Sequence, residues 1–359
     1  MHISRREFIG TLSIAPAVAL ATATGLGRPR PAKAADELRL ITWEGYATDD
    51  IIKAFVDSTG TTVARTYIGS NDEYMAKLAA GGGDYDMVVI VTSLAQQAIK
   101  SGFVEPLDLE KIPNFRQLYP EFQTLKYYQH EGRTYGVPTY WGLVPLTFNA
   151  DVIPDRNDFE VLFDPQFKGR ISMWDDISTL AQVARWMGFQ NVWDLTDEQL
   201  EAVKAKMIEQ KPLVRKYWTQ AGELIELFAS GEVVAAVSWD YVTQELLKAG
   251  HRVRQPRYKE AMAWSDSHLI VKGTPKRDLA HAFINHMVAP KTQALIAEVN
   301  LYRVTNPNAK EHMDSALWQL LDMDAAPELL PTTEFWGEVP RRAKYLEIWN
   351  EIKAAPIAE

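Results

Sequence analysis

Residues 38–100 read LRLITWEGYATDDIIKAFVDSTGTTVARTYIGSNDEYMAKLAAGGGDYDMVVIVTSLAQQAIK. A short apolar run, Leu38 to Trp43, precedes an amphipathic segment from Asp49 to Ser58. A β-branched run, Thr61 to Ile68, precedes a second amphipathic segment from Asp72 to Ala80. After Gly81-Gly82-Gly83 come the continuous apolar run Tyr85 to Val91 and a third amphipathic segment, Ser93 to Lys100. Strand-length runs separated by helical patterning predict βαβαβ, hence a parallel sheet with helices on its faces. The triple glycine follows a helix and precedes a strand, the reverse of the order a phosphate loop needs, and reads as a helix stop and turn. In open parallel sheets ligands sit outside the carboxyl ends of the strands. That rule selects Trp43-Glu44-Gly45-Tyr46, Gly69-Ser70-Asn71-Asp72 and Thr92-Ser93.

Upstream, Ser4-Arg5-Arg6-Glu7-Phe8 opens a mildly apolar stretch to Ala23, and Ala32-Lys33-Ala34 precedes Ala35. This is the order of a signal peptide, and the paired arginines resemble the twin-arginine export motif. The stretch is broken by Gly10 and Pro16 and is too short to span a bilayer. Cleavage is expected after Ala34, leaving a soluble periplasmic chain. The 359 residues are 47% hydrophobic and 24% charged, enough to bury a large core in one or two domains. The formal charge is -9, and residues 1–34 carry a net +4, so the processed chain stands at -13. An acidic surface makes nucleic acid and anionic lipid poor partners. The absence of cysteine removes disulfides, thiolate nucleophiles, Cys-ligated zinc and lipidated cysteine.

Downstream, Phe167-Lys168-Gly169-Arg170 leads into a strand ending at Trp174-Asp175-Asp176. A helix opens at the capping box Thr196-x-x-Gln199, and another is expected from near Trp218 to Gly231. Val233 to Val237 reads as a strand ending at Ser238-Trp239-Asp240. Ala263-Trp264-Ser265-Asp266-Ser267 closes a further segment before apolar His268 to Val271, and a helix from Asp278 to Val288 is stopped by Pro290. An aromatic thus meets an acid at successive predicted strand ends: Trp43-Glu44, Trp174-Asp175-Asp176, Trp239-Asp240 and Trp264-Ser265-Asp266. Either Asp175 or Asp176 can be the inward acid. Indole faces with carboxylates suit an organic cation through cation–π attraction and charge-assisted hydrogen bonds. Trp stacking with Asp hydrogen bonding also suits a sugar.

These residues also carry a resemblance. Thr42-Trp43-Glu44-Gly45-Tyr46, Asn71 to Leu78, Tyr85 to Val89, Gly136-Val137-Pro138 with Trp141-Gly142, Phe167-Lys168-Gly169 and Trp264 to Ser267, in this order and spacing, resemble the periplasmic polyamine-binding proteins of spermidine and putrescine ABC uptake systems. The resemblance runs from Leu38 to about Ala309. It implies a two-lobed α/β periplasmic binding protein (Venus-flytrap) fold, each lobe a mostly parallel sheet flanked by helices, joined by hinge strands and closing on ligand. The expected division is 35–142 plus about 267–310 for lobe 1, and 143–266 plus about 311–359 for lobe 2. Carried over by position, Trp43, Tyr46, Trp239, Trp264 and Tyr302 are the aromatic walls, Asp266 the central amine-binding acid, and Asp176 the acid at one end of the ligand. A family tyrosine becomes Ser93, a glutamate Thr179 and an acid Gly45; Glu44 and Asp240 are then candidates to restore negative charge.

The resemblance implies a receptor without enzymatic activity, metal or cofactor, expected as a monomer, that hands a polyamine or related organic cation to ABC permease subunits after export by the twin-arginine machinery. The same receptor binding a neutral sugar or an aminophosphonate is the alternative, with a secreted glycosidase as the enzyme reading. The seven histidines are scattered, and no metal-binding His pair or Gly-x-Ser-x-Gly elbow occurs. Trp141, Trp174 and the pair Tyr127-Tyr128 read as packing.

Overall fold

The computed structural model describes residues 36–68, 71–81, 84–258 and 260–357. The expected export signal at 1–34, Gly69-Ser70, and Gly82-Gly83 of the triple glycine expected as a helix stop lie outside them. The βαβαβ unit forms as predicted: β1 (Glu37–Trp43), helix Asp49–Thr59, β2 (Thr62–Ile68), helix Asn71–Gly81, β3 (Met87–Val91) and helix Thr92–Lys100. β1 pairs in parallel with both β2 and β3. All five residues of β3 are buried, the signature of a central parallel strand covered on both faces. Then come β4 (Val104–Glu105), the small hairpin β5 (Gln129–His130) and β6 (Arg133–Thr134), and β7 (Gly136–Val144).

Past Pro145 the chain leaves this sheet. β8 (Leu146–Asn149), β9 (Ile171–Trp174), β10 (Val214–Trp218), β11 (Ala235–Val237) and β12 (Val253–Arg254) make a second sheet in the order β10-β9-β11-β8-β12. β13 (Met262–Val271) and β14 (Glu334–Phe335) return to the first, whose order is β14-β13-β3-β1-β2, with β4 and β7 also on β13. Helix Arg342–Ala354 then packs Tyr345, Ile348, Trp349 and Ile352 into the second core. Two sheets, each with its own helices and core, are thus joined where the chain crosses at Pro145, before Met262 and after Phe335.

Several expectations are corrected. Met262–Asp266 belong to the first sheet, and β13 runs unbroken through Trp264 and Asp266, so that pair lies within a strand rather than at its end. Trp318, Leu321, Met323, Ala326 and Leu330 pack in the first core; of the tail assigned to the second lobe, Trp336, Val339 and the helix Arg342–Ala354 join the second core. Trp218 ends a strand, and the helix after it is Ala221–Ala229. The helix before Pro290 is Arg277–Met287, closing at Val288 as expected, and Pro290 is in addition the first residue of helix Pro290–Asn300, where its missing N–H is no loss. The capping box at Thr196 is present with both its hydrogen bonds.

Candidate functional site

The carboxyl end of β1 runs into a tight turn. Tyr46 N–H donates to the Trp43 carbonyl, and Gly45 adopts φ 85°, a left-handed conformation that glycine takes without strain. This is the position at which the resemblance implies an acid in the family and this chain has glycine. A Cβ there would stand 3.4 Å from the Asn300 amide nitrogen, which donates to the Gly45 carbonyl. The turn folds Tyr46 back into the protein, where its hydroxyl donates to Asp266 Oδ2 at 2.7 Å.

Asp266 is set by β13. Alternation along the strand puts Trp264 and Asp266 on one face. Opposite them β7 bulges: Asp266 pairs with Tyr140 and Ser267 with Pro138, so Thr139 is the extra residue, and its carbonyl is taken by the Gln293 amide. Tyr140 stacks on Tyr46 at 3.8 Å between centroids, Tyr302 meets Tyr46 edge-on at 6.0 Å, and Trp264 meets Tyr302 edge-on at 4.9 Å. Leu301, in the left-handed region at φ 56°, ends helix Pro290–Asn300 and turns the chain into Tyr302. Gly142 lies against Trp264, where a Cβ would meet the indole at 2.8 Å.

Asp266 is 5% exposed, and its Oδ1 has no hydrogen-bond partner. Among the described residues no Lys, Arg or His forms an ion pair with it. The nearby His268 is held neutral, burial driving its pKa down to about 3 while Thr139 Oγ1 engages its Nδ1. Burial pushes the Asp266 carboxyl up to about 7, against the lowering effect of the Tyr46 hydrogen bond. The surrounding hydroxyls of Tyr46, Tyr74 and Tyr302 are raised too, by burial first and then by the Asp266 charge. This is an aromatic box around one uncompensated acid, an arrangement that a cation completes.

The other sequence candidates divide. Trp43 is half-buried against Tyr74 at 5.8 Å. Trp239 joins an indole cluster of the second lobe with Trp174 at 5.5 Å and Trp218 at 4.9 Å, and Trp174 stacks on Trp336 at 5.3 Å. Glu44 is exposed on the β1 turn. Asp175 is spent on Trp349 Nε1 at 2.7 Å and Lys353 at 2.8 Å, which leaves Asp176, half-buried, its Oδ1 accepting from the Ser178 amide. Thr179 turns its hydroxyl to the Trp174 carbonyl. Asp240 does not supply free charge: it is locked at 2.7 Å to Arg303, both side chains being buried, and also accepts from Leu143 N–H. Trp141 is fully buried and donates to the Val304 carbonyl, and Tyr127 and Tyr128 bond backbone carbonyls, all as packing. Sequence reasoning missed Tyr140 and Arg303 as parts of the site. Tyr140 stood between the landmarks Pro138 and Trp141 without being singled out; Arg303 gave no signal. Among the described residues no His, Cys, Asp and Glu cluster can hold a metal ion, and no helix is long and apolar enough to cross a membrane.

The profile of the bacterial extracellular solute-binding proteins matches residues 50–328. The chain belongs to that family. The putrescine-binding periplasmic protein SpuD of Pseudomonas aeruginosa is 22% identical over 350 residues, covering 90% of this chain and 94% of SpuD. A putrescine/cadaverine-binding protein of Pseudomonas aeruginosa is 25% identical over 347 residues, covering 90% of this chain and 95% of its own. The crystal structure of the spermidine/putrescine ABC transporter substrate-binding protein PotD from Streptococcus pneumoniae superposes with a TM-score of 0.78 at 21% identity, over 89% of this chain and 99% of PotD. The two-lobed receptor fold is therefore that of this family, and its members matched here are binding proteins of transport systems.

Proposed function

We propose that this protein is the periplasmic receptor of an ABC uptake system, that it captures a short polyamine, and that it delivers it to an inner-membrane permease without chemical change. The observation that carries the reading is Asp266: a buried carboxylate with a free oxygen, enclosed by Tyr46, Tyr140, Tyr302 and Trp264. An ammonium group at Oδ1 would supply the missing charge-assisted bond. Relatives named for putrescine, cadaverine and spermidine support the ligand class.

The acids also bear on ligand length. Asp240 and Asp175 are neutralised, Glu44 is exposed and Asp176 is half-buried, so one cationic end is held deeply and the other near a wetter rim. A diamine such as putrescine or cadaverine matches this better than a longer amine with several buried charges. In this reading the first 34 residues are removed after twin-arginine export, and the receptor works as a soluble monomer. The test is calorimetric titration of the protein from Ala35 onward with putrescine, cadaverine, spermidine, spermine and a neutral hexose, following tryptophan fluorescence in parallel. Micromolar or tighter binding of a diamine is expected; silence across the amines, or equal binding of the hexose, would overturn the reading.

A further inference from the structure

The chain neighbours of the aromatic box carry a buried charged pair. Tyr302, one wall, is followed by Arg303, and Gly142, against which Trp264 lies, is followed by Leu143, whose N–H donates to Asp240 at 3.2 Å. Arg303 is fixed in place from two sides: its N–H donates to the Trp141 carbonyl at 3.2 Å, and its guanidinium stands 5.7 Å from the centre of the Trp141 ring. Its Nη1 reaches across to Asp240, the first residue of helix Asp240–Lys248 in the second lobe, at 2.7 Å. Both side chains are buried, so the pair itself is closed to a ligand.

Its field nevertheless reaches the box. The Tyr302 hydroxyl is pushed up in pKa by burial first and then by the charges of Asp266 and Asp240, so both acids act on the same wall. Among the described residues Asp266 has no cationic partner, whereas Asp240 has Arg303. Taken with the pair, the box therefore carries one net negative charge. Without Arg303 it would carry two, and without Asp240 none. Buried charges act on one another over several ångströms with little screening. An ammonium held at Asp266 thus feels the balance of the pair without touching it, and each further charge on the ligand feels the same field again.

We propose that Arg303 is a specificity-determining residue: by cancelling Asp240 it holds the box at one negative charge and keeps amines of higher charge from outcompeting a diamine. This rests on the reading of the box as an amine site and names what sets the charge of its ligand. The experiment is calorimetric titration at low ionic strength with butylamine, putrescine and spermidine, which carry one, two and three charges. The quantity read is the ratio of spermidine to putrescine affinity. In the parent, spermidine should bind no more than threefold tighter than putrescine. Arg303→Met, which frees the charge of Asp240, should raise the ratio at least tenfold. Asp240→Asn, which leaves the guanidinium uncompensated, should lower it, and the double variant should bring it back toward the parent's. A merely structural role for the pair would weaken the three amines together and leave the ratio where it is. If neither single variant folds, the parent ratio decides. A ratio unmoved in both single variants, or a parent that binds spermidine more than threefold tighter than putrescine, would overturn this inference and leave the receptor reading standing. Silence of the parent toward all three amines would overturn both.

Discussion

Asp266 sits where burial argues against its charge and only Tyr46 argues for it. Its pKa is raised from an ordinary carboxylate value to about 7, so the folded protein holds this proton more tightly than the unfolded chain does. The sign follows: the contribution to stability is full below about pH 4, the unfolded pKa, and is lost as pH rises through about 7. Its size, from a shift of about three units, is on the order of 4 kcal/mol. His268, His281 and His286, all lowered by burial, act in the opposite direction over part of the same range. The informative quantity is therefore the difference between the parent and Asp266→Asn. The variant should gain on the parent by on the order of 4 kcal/mol between pH 4 and pH 8, read by urea denaturation without ligand. A difference that does not change with pH would show that Asp266 ionises as an ordinary surface acid.

The elements place Asp266 through contacts that can each be broken. Gly142→Ala on β7 puts a methyl 2.8 Å from the rigid Trp264 ring. Overpacking of this kind costs about 1–3 kcal/mol, and because Trp264 walls the box the variant should lose diamine affinity with its stability. Gly222→Ala, with open space around the added carbon in helix Ala221–Ala229, is the control and should leave both unharmed. Arg303→Met strands the buried Asp240 and should destabilise by about 3–5 kcal/mol. Adding Asp240→Asn, which removes the stranded charge and keeps an acceptor for Leu143 N–H, should recover much of that in denaturant titration; no recovery would mean that the pair is not coupled. These cases also mark what the sequence could disclose. The βαβαβ start was readable because β3 is a continuous apolar run and its neighbours are amphipathic over helical lengths. Asp240 read as a free acid because its partner is 63 residues away, and the stack of Tyr140 on Tyr46 is likewise a product of folding. Pro290 read as a stop because proline cannot continue a helix, although it suits the first turn of a new one.

At the scale of the whole molecule, the chain crosses between the two sheets at Pro145, before Met262 and after Phe335, so in the proposed receptor capture and lobe closure are one event. Ordinary carboxylates alone would place the loss of cation binding below about pH 4. The burial of Asp266 moves it to about 7. A diamine stays cationic throughout this range and binds the ionised acid, so capture must expel the proton wherever Asp266 still holds one. Affinity should then rise close to tenfold from pH 5 to pH 6, flatten above about pH 7, and lose this slope in Asp266→Asn. Calorimetry at pH 6 in buffers of different ionisation enthalpy should count close to one proton released per ligand, falling toward none at pH 8. A flat affinity from pH 5 to pH 8 with no proton released would mean that the cation is held elsewhere, at Asp176 or Glu44, and that the aromatic box around Asp266 is structural.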